Sequence, residues 1–202
     1  MPNKEYSFWS YRRLFKFTVI FSLVFSFAKA DDIERAESYI QKLSNQIIVI
    51  VESESEVKAK QNKLLALFKK NASTQTISRA ALGAKWRTLN DDTRKEFTAA
   101  FINYLVQKYG RQFEEFSGAK LIIERSIDAG KRGILVQSRL LMPASSPISV
   151  KWQVWKRTEN LKLLDIIIED ISMLSMEREE IKNRLVIHNG NIQLLINDLK
   201  EN

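Results

Sequence analysis

One switch of hydrophobic period, near residue 120, constrains this chain more than any other feature. Before it, apolar residues recur at spacings of three and four, the repeat of amphipathic helices. After it they recur at every second position over four segments, Lys120–Ile127, Gly133–Met142, Ile148–Arg157 and Leu161–Ile171. The connectors between these segments, DAGKR, PASSP and TEN, are short. Connections of that length join antiparallel neighbours, because a parallel crossover needs a dozen or more residues. The second half of the chain is therefore expected to open with a four-stranded antiparallel meander.

Helices are expected on either side of it. Ile33, Ala36, Ile40, Leu43 and Ile47 mark a first helix over Asp31–Val51, whose apolar end IIVIV also reads as a short strand. A second spans Val57–Lys70, with Leu64, Leu65, Leu67 and Phe68 on its buried side, and a third spans Ile77–Arg87. Asn90-Asp91-Asp92 is a good N-terminal cap for a fourth, whose stripe of Phe97, Phe101, Tyr104, Leu105 and Tyr109 is strongly aromatic. Ser175–Ile187 and Ile192–Leu199 close the chain as two further helices. Helices, then a meander, then helices make one α+β domain over residues 31–202, with the N-terminal helices packed on the twisted sheet.

The strand KLLDIIIEDIS (162–172) departs from simple alternation. Leu164, Ile166 and Ile168 fall on one face, yet Leu163 and Ile167 fall on the other, around Asp165. The first face continues an apolar wall made by Ile134, Val136, Ser138, Leu140 and Met142 with Ile148, Val150, Trp152 and Val154. On the mixed face Asp165 is expected to pair with Arg139 or Lys151, since a partly buried acid needs a partner. Periodicity does not separate residues that line a ligand cavity from residues of a closed core.

Residues 1–30 have the make-up of a secretory signal peptide. A basic start with Lys4, Arg12, Arg13 and Lys16 precedes the uncharged run FTVIFSLVFSF and the small-residue site AKA, with cleavage expected after Ala30. The run is short for a membrane span, which needs about 20 residues; an uncleaved signal anchor is the alternative. Removing this segment takes away five basic residues and one acid, so the net charge of +8 falls to about +4. That mild excess disfavours a nucleic-acid partner and suits anionic lipid headgroups. The absence of cysteine excludes disulfides, thiolate metal sites and cysteine catalysis. The single histidine, His188, sits at an expected helix end beside Asn189-Gly190, where capping or a surface role fits better than catalysis or metal binding. No phosphate loop or nucleophile-elbow motif is present. No catalytic, cofactor or metal site is expected.

Two segments carry a family resemblance. Leu82, Gly83, Trp86, Arg94, Phe97, Phe101, Leu105 and Tyr109 within residues 82–109 resemble the "LG-x-x-W…R-x-x-F-x-x-x-F-x-x-x-L-x-x-x-Y" segment of the MlaC, or toluene-tolerance, family. LDIIIEDIS (164–172) resembles its "Y-D-(apolar)3-E-G-V-S" segment, with Leu164 for an aromatic residue and Asp170 for the glycine. The resemblance implies an NTF2-like cone and a periplasmic phospholipid carrier. Such a carrier shuttles lipid between an outer-membrane lipoprotein–porin complex and an inner-membrane ABC transporter with an MCE-domain subunit, and so maintains outer-membrane lipid asymmetry. A deep pocket, near the top of the usual range of about 300–1,000 Å³, is expected for a diacyl lipid, with the headgroup outside and weak headgroup selectivity. The expected acyl-chain contacts are Trp86, Phe97, Phe101, Tyr104 and Leu105 from the helices and Val136, Leu140, Val150, Trp152, Val154, Ile166 and Ile168 from the sheet. The chain is expected to act as a monomer, without a cofactor. Three alternatives stay open: an enzyme acting on a lipophilic molecule in the same cone, with Asp165 as its polar group; a carrier of another lipid such as a hopanoid; and an envelope adaptor that binds no lipid.

Overall fold

The computed structural model describes residues 11–110, 112–143, 145–157 and 160–201, with side chains described from Asp31 onward except at 113 and 114. The signal-peptide segment therefore lies outside the residues whose side chains are described. Helix α1 spans Tyr11–Glu52, so IIVIV is helical and not a strand. Helix α2 spans Val57–Asn71 and α3 spans Thr74–Leu82. The third helix ends earlier than its periodicity implies. Gly83 takes a φ of 63°, and the chain continues as a 3-10 segment over Gly83–Thr88 that carries Trp86. Helix α4, Asp91–Gly110, begins where Asn90 Oδ1 accepts from Thr93 N at 2.8 Å, as its capping residues imply. A second 3-10 segment, Gln112–Phe116, leads into the sheet.

The sheet has five strands, not four, in the order of the chain and all antiparallel: β1 Lys120–Asp128, β2 Ile134–Leu141, β3 Ile148–Arg157, β4 Asn160–Ile168 and β5 Ile171–Ser172. The fifth arises because the last expected strand is interrupted by a two-residue hairpin turn. Glu169 and Asp170 have φ values of 47° and 66°, as a type I′ turn requires, and Ile168 pairs with Ile171. Asp170 thus occupies a left-handed position in which glycine is strain-free and aspartate is tolerated. It also forms an ion pair with Lys151. Glu169 Oε1 accepts from Ser149 N at 2.6 Å, which ties the turn to the start of β3.

A bulge accounts for the two apolar faces of β4. The register runs Val150–Ile168, Trp152–Ile166 and Gln153–Asp165, then skips Leu164 so that Val154 faces Leu163. Past that extra residue the side-chain alternation inverts. Leu163 joins the inner face beside Val154, and only the part of the strand after the bulge follows the simple alternation. Leu163 is buried and its carbonyl accepts from Ser73 N at 2.9 Å, so the α2–α3 turn seats on the bulge.

Helix α5, Met173–Ile187, and helix α6, Ile192–Glu201, complete the fold. His188 caps α5, and its Nε2 lies 3.3 Å from Asp198 Oδ2 on α6. One apolar core runs from α1 (Ile40, Leu43) through α4 (Phe97, Phe101) and the sheet (Val136, Val154) to the C-terminal helices (Ile181, Leu195). Among the described residues, no helix is long and apolar enough to cross a membrane.

Candidate lipid-binding site

The inner face of the sheet is a ladder of matched apolar pairs: Ile134 with Val154, Val136 with Trp152, and Leu140 with Ile148. Ser138, a polar member of this ladder, is buried and satisfied. Its hydroxyl donates to Val150 O at 2.8 Å and accepts the Trp152 indole N–H at 2.9 Å. That link fixes the indole plane and leaves its ring face available to an apolar neighbour.

This wall and α4 do not meet along their full length. A cavity of about 230 Å³ separates them, walled by α1, α2, the second half of α4, β3, β4 and the start of α5. Its lining is mostly apolar, with Leu43, Ile47, Leu64, Leu67 and Phe68 from the first two helices opposite Val150, Trp152 and Ile166 from the sheet. Of its lining, Ile77, Phe101 and Leu163 are buried and Gln112 is exposed. The volume is smaller than the deep pocket expected for two acyl chains.

Seven of the expected contacts line this cavity: Phe101, Leu105, Leu140, Val150, Trp152, Ile166 and Ile168. The other five do not. Trp86 packs edge-on against Phe97, with ring centroids 6.4 Å apart and an interplanar angle of 72°. Arg94 locks it from outside, with its guanidinium 5.8 Å from the indole and its Nε donating to Trp86 O at 3.2 Å. Phe97, Val136 and Val154 are sealed in the solid core with no exposure. Tyr104 turns toward α5, beneath the Arg184 guanidinium at 4.9 Å and the Lys108 amine at 5.4 Å. Trp86 and Arg94, two residues of the family-like segment, instead border a separate, more polar groove of about 550 Å³ with Lys69, Asp91 and Lys95.

The polar groups at the cavity are few and mostly committed. Asp165 does not pair with Arg139 or Lys151, because the bulge and the hairpin place it beside the start of α5. Its Oδ2 accepts from Ser172 Oγ at 2.5 Å and its Oδ1 from Leu174 N at 2.9 Å. Arg139 pairs with Glu124 at 2.5 Å instead. Glu177 is 2% exposed; one oxygen accepts from Lys108 Nζ at 2.7 Å and from the Tyr109 hydroxyl. Burial works against the Lys108 ammonium, but the hydrogen bond and charge of Glu177 outweigh it and raise its pKa. Burial and the same carboxylate raise that of Tyr109. Burial also pushes the Tyr39 hydroxyl up to about 12; this hydroxyl donates to Asn71 O at 2.7 Å and so braces the α2–α3 turn. Among the described residues, no cluster of three His, Asp or Glu side chains is placed to hold a metal ion.

Sequence reasoning missed the contributions of α1, α2 and α5. The stripe of Leu64, Leu67 and Phe68 was visible but reads equally as core. Nothing in SMEREE marks Glu177 as the acid that turns inward.

The model of the family described as "MlaC protein" matches residues 41–201. The chain belongs to the MlaC family. Among solved structures, the fold is similar to that of a phospholipid-binding protein from Ralstonia solanacearum, solved in complex with a phospholipid. The TM-score is 0.69 at 14% identity, over 81% of this chain and 94% of that one. No curated protein matches significantly. Membership and fold agree with the resemblance read from residues 82–109 and 164–172, and the α+β architecture agrees apart from the added strand.

Proposed function

We propose that this chain is an exported phospholipid carrier and not an enzyme. Residues 1–30 direct it to the periplasm and are cleaved after Ala30, which leaves a single lipid-binding domain over residues 31–202. It acts there as a monomer. It takes acyl chains into the apolar space between the sheet and α4, and carries lipid between an outer-membrane lipoprotein–porin complex and an inner-membrane MCE-domain ABC transporter. Outer-membrane lipid asymmetry is maintained as a result.

The observation that carries this reading is the apolar cavity itself. Each methylene left in water costs about 0.8 kcal/mol, so two bare chains cost on the order of 20 kcal/mol to move through an aqueous space. A protein that shields them needs an interior gap lined by hydrocarbon, and this fold leaves one between its wall and α4. The family membership and the lipid held by the Ralstonia protein support the same reading. At about 230 Å³ the space is below the ~300–1,000 Å³ of ordinary ligand pockets. Loading therefore widens the gap, with α1 and α2 moving away from the sheet. An enzymatic role is disfavoured by Asp165, since both of its oxygens are held by Ser172 and Leu174.

The test is native mass spectrometry of the protein gently purified from a Gram-negative periplasm, with lipid extraction from the same sample. One co-purified phospholipid per chain is expected. A protein that emerges only as bare polypeptide, and takes up none from vesicles, overturns the proposal.

A further inference from the structure

Residues 57–90 hold eight Lys or Arg and no Asp or Glu. Helix α2 opens this stretch, and its two faces meet different surroundings. Leu64, Leu67 and Phe68 line the cavity. Lys58, Lys63, Lys69 and Lys70 are exposed, as are Asn62 and Ala66 between them. The helical repeat sets these six in one sector of about 140°, and the stripe runs about 18 Å along the axis. Solvent faces elsewhere mix the two signs. On α4, Arg94 and Lys95 pair with Asp91 and Asp92. On α5, Lys182 and Arg184 pair with Glu179 and Glu180, and on the sheet Arg139 pairs with Glu124. Among the described residues, none of the four exposed α2 lysines forms an ion pair; Lys63 donates to Ser55 Oγ at 2.9 Å. Lys162 of β4 donates to the carbonyl of Lys70 and adds a fifth amine at the end of the stripe. The negative pole of α2 suits Lys69 and Lys70 in its last turn, but does not account for Lys58 and Lys63 further back.

An unbalanced cationic face fits an anionic surface. Its residue types distinguish two such surfaces. All four charges are lysines, which act as point charges, whereas recognition of a fixed carboxylate favours the planar fork of arginine. Asn62 and Ala66 offer no aromatic or long apolar anchor of the sort that carries a protein interface. A row of diffuse charges without an anchor suits a fluid layer of phosphates. We infer that the solvent face of α2 docks the protein on a bilayer surface rich in anionic phospholipid. Because the opposite face of α2 lines the cavity, docking there holds the cavity one helix diameter, about 10 Å, from the headgroups. The inference goes beyond the carrier reading: it rests on the charge of α2 and not on the cavity, and it holds or fails separately.

The experiment uses the exported protein, purified from a Gram-negative periplasm, in co-sedimentation with vesicles at low salt. Binding to phosphatidylglycerol vesicles is expected to exceed binding to phosphatidylcholine vesicles by about tenfold or more, and to fall steeply as salt rises. One lysine near an anionic surface is worth about fivefold in affinity. Lys63→Gln, Lys69→Gln and Lys70→Gln together are therefore expected to weaken binding on the order of 100-fold. None of the three lines the cavity, so lipid load read by native mass spectrometry is expected to hold. Lys120→Gln, Arg125→Gln and Lys131→Gln together remove the same net charge from β1 and the segment after it, and are expected to cost less than about tenfold. Equal binding of the two vesicles by the wild type overturns the inference and leaves the carrier reading intact. An equal loss in the two triple variants also overturns it, since net charge alone then explains the binding. Retention of the wild type, but not of the α2 variant, on polyglutamate beads without binding to anionic vesicles overturns it as well and assigns the face to an acidic protein.

Discussion

The two halves of α4 carry one aromatic stripe but meet different surroundings. In the first half Phe97 stacks on Phe101 at 5.6 Å and 9°, with Trp86 closing over Phe97 and Arg94 over Trp86. Phe97 is enclosed there, with no exposure. In the second half Leu105 and Tyr109 face the cavity, with Trp152, Ile166 and Ile168 on the other wall. Phe101 belongs to both, fully buried in the stack yet part of the lining of the gap. The contrast separates residues that hold the fold from residues free to serve a ligand, although both have the same composition and period.

The strongest break of this comparison is Phe97→Ala. It removes a fully enclosed ring and is expected to cost about 3–5 kcal/mol, read as a lower urea midpoint. The folded fraction should keep its lipid load. Gly133→Ala probes the packed end of the sheet. Gly133 has a φ of 84°, and a Cβ there would lie 2.1 Å from Val154 O. A loss of ~2 kcal/mol or more is expected from the same measurement. Leu105→Trp fills the open half instead. Its cost is expected to stay below the ~1–3 kcal/mol of overpacking a closed core, because the ring enters existing space. Lipid load should fall sharply, which is the reverse of the Phe97→Ala pattern.

What was legible follows the same division. The meander, the inner faces of β2 and β3 and the capped start of α4 were readable because they depend on local period and turn length. The solid aromatic half was readable as apolar, but its separation from the cavity was not. Trp86 and Phe97 look like ligand contacts in sequence; they fall in the core because Gly83 ends α3 early and the 3-10 segment folds Trp86 onto Phe97. Leu163 changed faces because a bulge leaves no mark in a run of LLDIII. Asp170 looked anomalous until the turn gave it a positive φ. Glu177 was invisible because an acid in a helix rich in charge reads as solvated, and only the approach of Lys108 and Tyr109 across the chain encloses it.

The smallest expected effect lies at the far edge of the packed half. Glu96 accepts from Lys200 Nζ at 2.7 Å and from Gln193 Nε2 at 3.3 Å, and these bonds lower its pKa. Its contribution is therefore present above the unfolded value of about 4.3 and is lost as pH falls through the lower folded value. Because Glu96 is at the surface, only a slight steepening of the acid limb is expected. Lys200→Met should flatten that limb, read by urea midpoints at pH 6 and pH 3.5, and should leave lipid load unchanged.

Photo-crosslinking with a phospholipid that carries a diazirine in its acyl chain tests the central claim most directly. The expected adducts fall on peptides that contain Leu105, Ile166 and Ile168, at the wall of the gap. Adducts confined to the outer groove beside Trp86 and Arg94, with none on those peptides, would contradict it.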